Sequence, residues 1–468
     1  MSDTTGPFES LAGHAHATHV VVVGGGIAGL VAAHECAKVG LRVTLIEAGE
    51  LGGIIRSAEI AGMALDVGAD GFSSAGGHVR ALLEELHLSD DIEPEARVAS
   101  WSGGAPLPSG SIIGIPANPW DPAVRRIIGW SGVWRAYLDR LRPPLTIGQE
   151  HNLDALVRRR MGDRVVDRLV APLTYGRHGL SPAGVDVDAA APGLNAALTR
   201  TGSLGGAVAQ VRADRPAGGG NQTLVGGMTR LVDALRARLE SLGAEVLIGS
   251  PVEAIARADE TWEVVNGGET LRCDAVIVAT PEGVARRLLA PNVTGIDDQP
   301  GAARTADVVT LVVDAAAVAA SGGVTVYAVP TDDAPAAAVI DATARWPWLA
   351  ERVGAHARVV RVLFQGREAP EPSAADGVAA ASALLGVDLD DRHVLGARVD
   401  RWGAALPPSA IGHADAAAQA RAAVHAVPGL AVVGAWLSGS GLAHVIPDAA
   451  AEAERVRRRA LFGDAAAE

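Results

Sequence analysis

With 468 residues the chain is too long to organise around one core, so two or three domains are expected. Hydrophobic residues at 49% and charged residues at 20% describe a packed globular protein rather than a disordered one. A net charge of −14 argues against nucleic acid as a partner, and 3% aromatic content argues against a stacking surface for bases or sugars.

The first segment, MSDTTGPFESLAGHAHA (residues 1–17), has neither the basic region nor the apolar core of a secretion signal and reads as a flexible leader. His14, His16 and His19 offer metal-ligand atoms, but a leader accounts for them more simply. Residues 20–47 then carry the most informative pattern in the chain. Four valines, Val20 to Val23, read as a buried strand. Gly24, Gly26 and Gly29 come next as G-x-G-x-x-G, then a helical segment, then an apolar strand, Leu41 to Ile46, that ends in Glu47. Each part suits a dinucleotide: a tight turn at Gly24, close approach of a pyrophosphate at Gly26, helix–strand packing at Gly29. The helix N-terminus offers unpaired N–H groups to phosphate, and Glu47 suits a ribose hydroxyl pair. Lys38, the only lysine, falls near the end of that helix, so no lysine is placed for a Schiff base or a catalytic ammonium.

Next comes LGGIIRS, with Gly52 and Gly53, and then DVGADGF, Asp66 to Phe72, which suggest a second backbone approach to the same ligand. Residues 79–87 have helical periodicity. Residues 97–116 are rich in Gly, Ser and Pro and read as loops or a hairpin. From Pro119 to Leu180 the pattern is helical and locally basic, with nine arginines between Arg125 and Arg164. Most of them read as a solvated face, a minority as a draw for an anionic ligand. A helix over Thr229 to Leu242 and the strand DAVIVATP, Asp274 to Pro281, return to α/β. Residues 300–400 alternate strands and helices. Val308 to Val329, the richest apolar run, contains Asp314 and two glycines and reads as strands rather than a membrane span. The chain closes, from LAVVGAWLSGSGLAHVIPDA onward, with a strand, a Gly-rich turn and a helix that runs to Arg459. Cys36 and Cys273 fall in a predicted helix and at the start of a predicted strand. They make neither a disulfide framework nor a zinc spacing, and read as buried thiols in a reducing compartment.

Together these residues resemble the flavin-dependent amine oxidase and protoporphyrinogen oxidase superfamily, in which a nucleotide-binding motif opens the chain, a G-G comes after the ribose acid and a Gly-rich turn near the C-terminus closes over the flavin. Within it the porphyrinogen oxidase branch matches best. GGAPLPSGSIIGIP is similar to its L-P-x-G followed by G-x-P. VRRRMGDRVVDRLVAPLTYGRHGLSP, Val157 to Pro182, resembles its helix-and-loop block, and LVGGMTRLVDAL, ATP, Trp402, Pro407, Gly412 and His413 resemble later ones. GAWLSGSGLAHVI resembles the C-terminal block. Coverage runs from residue 20 to 450, weakest over 290–395. One departure stands out: the family's E-x-x-x-R-x-G-G is EAGELGG here, a residue shorter and without the arginine.

The resemblance implies an α/β protein with a Rossmann-type FAD-binding domain, an inserted mixed-sheet substrate domain and a helical subdomain. Its FAD-binding domain would comprise 18–76, 221–285 and 401–468; the substrate domain 77–220 and 286–400; the helical subdomain 119–200. Carried onto this chain, the FAD contacts are Gly24, Gly25, Gly26, Ile27, Ala28, Gly29 and Glu47. Gly52, Gly53, Ile54, Val67, Gly68, Ala69 and Asp70 lie beside the flavin. Val252 gives backbone contacts to adenine, and Ala435, Ser440, Gly441 and Leu442 sit at the flavin ring. The implied reaction turns a porphyrinogen into a porphyrin in three two-electron rounds, with dioxygen reoxidising the flavin to give hydrogen peroxide. No protein side chain is implied as a catalytic acid or base and no metal is implied. Arg97 aligns with the family's propionate-binding arginine, beside the reading of a surface arginine. Coproporphyrinogen carries four propionates and protoporphyrinogen two; an enzyme without a membrane span and with a basic helical part fits the former. Cytoplasmic location, at most peripheral to a membrane, a monomer or homodimer, and a ferrochelatase as partner complete what the resemblance implies. A flavin amine oxidase, a carotenoid desaturase-like enzyme and a non-catalytic porphyrin-carrying flavoprotein remain as alternatives.

Overall fold

In a computed structural model that describes residues 13–141, 150–214, 220–299, 304–365, 370–404 and 407–462, the four valines form the centre of a parallel sheet. Its strands are β1 (His19–Val23), β2 (Arg42–Glu47), β3 (Glu245–Ile248), β4 (Ala275–Val278) and β5 (Leu430–Val432), in the order β3-β2-β1-β4-β5. All neighbours are parallel, and the register sets Val23 beside both Ile46 and Val278. The C-terminal ends of β1, β2 and β4 therefore finish level, where open parallel sheets bind ligands. Both faces are covered, which is why Val20–Val23 of β1 and all of β4 are uninterrupted apolar runs. On one face lie helices α1 (Ile27–Ala37), α2 (Thr229–Ser241) and α3 (Leu442–Phe462), packed through Leu30, Val31, Leu235 and Ala449. On the other, Trp262, Leu288, Leu289 and Val424 pack against Val21 and Val276.

A second, seven-stranded mixed sheet takes its strands in the order Val394–Ala404, Arg304–Asp314, Ala357–Phe364, Ala338–Asp341, Thr325–Tyr327, Ser100–Ser102, Ala105–Pro106. Only the pairing of Thr325–Tyr327 with Ser100–Ser102 is parallel. The helix Ala374–Leu385, started by a reciprocal capping box between Ser373 and Asp376, covers its valine-rich face. Helices between Pro122 and Ala213 bury a third core of Leu, Val and Ile side chains, with the buried Arg160–Asp139 ion pair at 2.5 Å inside it. Among the described residues, no helix is long and apolar enough to cross a membrane.

Several expectations need adjusting. Residues 13–17 are not part of a flexible leader; they form a helical turn in which His14 bonds the carbonyl of Ala460 and His16 that of Gly40. Residues 1–12 lie outside the described residues. Helix runs on to Ala213, past the expected end of the helical part at 200, and the mixed sheet runs to Ala404, past the expected boundary at 400. Within 308–329 a helical turn, Ala315–Val318, separates the two strands because Asp314 caps it by accepting from Ala316 N–H. Cys273 ends a strand, Glu269–Cys273, rather than starting one. Four of the few aromatics, Trp120, Trp130, Trp134 and Tyr137, stand edge to face in one cluster, so a local aromatic surface does exist.

Candidate active site

The turn after β1 is set by backbone crowding. Gly24 has φ +108°, and a Cβ there would lie 2.7 Å from the carbonyl oxygen of Ala279 at the end of β4. A Cβ on Gly29 would overlap the carbonyl oxygen of Gly24, so the first turn of α1 rests directly on the strand end. Gly26, by contrast, faces open space where its Cβ would be. The motif thus closes the protein side and leaves one side clear for a ligand at the helix N-terminus.

Three other stretches assemble around this turn. Gly52 N–H donates to the Gly25 carbonyl at 2.8 Å, and Gly26 and Gly52 form an isolated parallel bridge. Glu47 accepts from Gly25 N–H at 2.6 Å and from Gly49 N–H at 2.8 Å, so its carboxylate is held at the mouth of the turn. The Glu47 carbonyl accepts from Ser250 N–H, which brings the chain just before Val252 to the same strand end. Ala69 N–H donates to the Ile54 carbonyl, placing Val67, Gly68 and Ala69 along the Gly52–Ile54 loop. From the C-terminal block, Ala435 and Leu442 share one apolar cluster with Ile27, Ala28, Ala69 and Ala279. Gly439 abuts Pro408, and Ser440 and Gly441 are exposed beyond it. His413 donates to the Trp436 carbonyl at 3.0 Å, on the tautomer that the bond selects, and so anchors the short helix Ala435–Ser438.

Asp70 is placed differently from its neighbours. Its carboxylate is turned inward, onto Arg361 Nη1 at 3.1 Å, Arg345 Nη1 at 3.5 Å and Trp346 Nε1 at 3.1 Å. Burial alone would raise this carboxyl; the guanidinium groups of Arg361 and then Arg345 outweigh it and hold the carboxyl below its ordinary value. Arg361 also donates to the carbonyls of Val67 and Gly68. Asp70 therefore positions the loop rather than reaching a ligand with its side chain. Asp66, which accepts from Met228 N–H, is pushed up to about 6, mainly by burial.

Arg361, Arg345 and Trp346 were not signalled by a motif, although a charge at the centre of ARVVRVLF hints at a buried partner. Sequence reading also passed over Arg56 and Thr280. Thr280 Oγ1 is buried without a hydrogen-bond partner among the described residues, at the end of β4 next to Gly24, whereas Arg56 Nε, beside the Gly52–Ile54 loop, makes no hydrogen bond and reaches Glu50 only at 3.6 Å. A buried hydroxyl without a hydrogen bond at a clear-sided glycine turn fits a polar cofactor laid across these strand ends. Arg97 is exposed, and no hydrogen bond or ion pair engages it among the described residues; its neighbour Ala96 donates to the Arg345 carbonyl, so it adjoins the Asp70 network. Lys38 pairs with Glu35 at 2.5 Å and Glu85 at 3.8 Å, away from the glycine turn, and both cysteines are buried with thiols pushed up to about 12 by burial.

Comparisons with known proteins bear on the family and the fold. The family described as flavin containing amine oxidoreductase matches residues 27–313. Coproporphyrinogen III oxidase of Propionibacterium freudenreichii subsp. freudenreichii is 28% identical, over 95% of this chain and 91% of its own. Coproporphyrinogen III oxidase of Mycobacterium tuberculosis is 33% identical, over 90% of this chain and 93% of its own. The crystal structure of a provisionally named protoporphyrinogen oxidase from Exiguobacterium sp. 255-15 has the same fold, with a TM-score of 0.82 at 23% identity, covering 94% of this chain and 98% of that one.

Proposed function

The chain belongs to the flavin containing amine oxidoreductase family, and from that premise we propose that it is an FAD-dependent oxidase of porphyrinogens that takes coproporphyrinogen III in preference to protoporphyrinogen IX. The observation that carries the reading is the near full-length similarity to coproporphyrinogen III oxidases, joined by an arginine, Arg97, that is unpaired among the described residues and next to the network that holds the Asp66–Asp70 loop. Bound FAD supplies the two-electron acceptor, with dioxygen as the final oxidant.

The chain's own residues bind and orient. In this reading Gly24 to Gly29 and Glu47 take the pyrophosphate and ribose, the Gly52–Ile54 and Val67–Ala69 loops flank the ring, and Ala435 to Leu442 close over it. Arg97 holds a propionate of the substrate, through the paired donors that suit a carboxylate. No acid/base pair is required in this reading, since the pyrrole protons leave to solvent or to an adjacent group. The test is anaerobic mixing with coproporphyrinogen III and, separately, protoporphyrinogen IX. Rapid bleaching of the oxidised-flavin band, then porphyrin fluorescence and peroxide on admitting air, supports the reading. A flavin that stays oxidised with both sinks it.

The surface of the helical part supports peripheral membrane contact. Trp130 and Trp134 are 59% and 55% exposed, Leu138 and Leu141 are exposed beside them, and Arg125 and Arg140 stack on Trp130 and Tyr137. Aromatic, aliphatic and cationic side chains gathered over the kinked segment Pro122–Tyr137 and the 3-10 turn Leu138–Leu141 suit an anionic bilayer surface. Co-sedimentation with anionic vesicles should fall when Trp130 and Trp134 become alanine; equal sedimentation of the double variant refutes it. A ferrochelatase is the natural recipient of the product within this reading.

A further inference from the structure

We infer that Arg177 grips a second substrate carboxylate and that, with Arg97, it sets the preference for the more heavily carboxylated porphyrinogen. The inference rests on the proposed porphyrinogen oxidase activity. Arg177 lies near the end of the helix Ala171–His178, and three parts of the protein fix that helix end. The mixed sheet presses on it at Gly176, where a Cβ would overlap the Tyr327 ring. Gln365 Nε2 donates to the carbonyls of Tyr175 and Gly176 at 3.1 and 2.8 Å. His178 Nδ1 and the Ser409 hydroxyl are 3.0 Å apart, and Pro408, the next residue, abuts Gly439 of the C-terminal glycine loop. Arg177 therefore stands where the helical part, the mixed sheet and that loop meet.

Its guanidinium is held but not neutralised. The carbon lies 5.4 Å from the Tyr327 ring centre, and Nε donates to the Tyr327 hydroxyl at 3.3 Å. Among the described residues no carboxylate lies within ion-pair distance, and the side chain is exposed. Stacking on an aromatic face leaves the two terminal nitrogens as a planar fork, which matches a carboxylate. The deeper arginines differ, since Arg345 and Arg361 are committed to Asp70 and Glu95. His178 adds no second charge, because burial first, and Arg177 next, lower it to about 4.

Arg97 and Arg177 do not compete for one group. Tyr327 stands one position beyond Val326, which pairs with Trp101, so it is level with Ser102, five positions along from Arg97. Arg97 itself lies in the irregular segment 95–99 that precedes the strand Ser100–Ser102, whereas Arg177 is held at Tyr327. The two arginines then read different carboxylates, which favours a substrate bearing more of them.

The experiment is steady-state kinetics of the holoenzyme with both porphyrinogens, on wild type, Arg177→Ala and Arg177→Lys. A hydrogen-bonded charge contact corresponds to roughly a 10- to 100-fold change. Arg177→Ala should raise KM for coproporphyrinogen III by that factor, change kcat little, and raise KM for protoporphyrinogen IX less. Arg177→Lys keeps the charge but loses the fork, and should fall between; it also stands in if the alanine variant does not fold. Wild-type turnover with unchanged KM in both variants, or equal losses for both substrates, overturns the inference alone. A wild type whose flavin neither porphyrinogen reduces overturns the proposed function and this inference with it.

Discussion

Replacing Arg361 with leucine isolates the part of the site that no motif announces. The arginine is 7% exposed, pairs with Asp70 at 3.1 Å and donates to Val67 and Gly68 carbonyls at 3.1 and 2.5 Å. Asp70, 17% exposed, would keep Trp346 Nε1 at 3.1 Å and Arg345 at 3.5 Å. Removing one partner of a buried pair costs about 3–5 kcal/mol, and the surviving partners place this case near 3. If that cost falls on the loop beside the cofactor, FAD affinity drops by on the order of 100-fold. The pH dependence has a definite sign. In the wild type Asp70 is depressed in the folded state, so its contribution is present above its unfolded value near 4 and is lost only as pH falls through the folded one. Without Arg361 the largest charge opposing burial is gone, so the folded value moves up and the contribution present at higher pH shrinks. Asp66, at about 6 and lowered in part by Arg361, moves the same way. The assay is the FAD dissociation constant by flavin fluorescence at about pH 5.5 and 8, on either side of the Asp66 value. The variant's deficit relative to wild type should be larger at the higher pH. A variant that binds FAD as wild type does at both, or whose deficit is larger at the lower pH, would falsify the argument.

Gly29→Ala should give a folded protein that purifies colourless, because the new Cβ overlaps the Gly24 carbonyl and prises α1 from the strand end; full flavin content would show that the turn is not the cofactor seat. Arg97→Ala should weaken porphyrinogen binding roughly 10- to 100-fold while keeping flavin content, read as KM against absorbance ratio; unchanged affinity removes Arg97 from the site. Neither Cys36 nor Cys273 should alkylate in the native protein at about pH 8, since burial pushes both thiols up to about 12; rapid native labelling, read by mass spectrometry, would contradict that burial.

The sequence by itself determined the local chemistry of the cofactor end. Valines ending in glycines at a spacing of two and three, then an acid closing the next strand, admit few other structures, because only a backbone without side chains can be crowded by Ala279 on one side and open on the other. The family resemblance, rather than the local pattern, implied Gly52–Ile54, Val67–Asp70 and the Ala435–Leu442 turn as flavin contacts, and parallel pairing of β3, β2, β1, β4 and β5 sets the strand ends where the first and last of these begin. What pairing and packing decided is the role of side chains whose partners lie hundreds of positions away. Asp70 looks like a ligand contact in DVGAD until Arg361 turns it inward, 291 positions later in the chain. Thr280 becomes a candidate contact only because burial leaves its hydroxyl without a hydrogen bond among the described residues. Arg177 is one basic residue among many in a helical stretch until Tyr327 rises beneath it from the mixed sheet and leaves its fork facing outward. A local pattern fixes backbone shape because sterics act between neighbours, whereas the pairing of charges depends on the long-range closure of the chain.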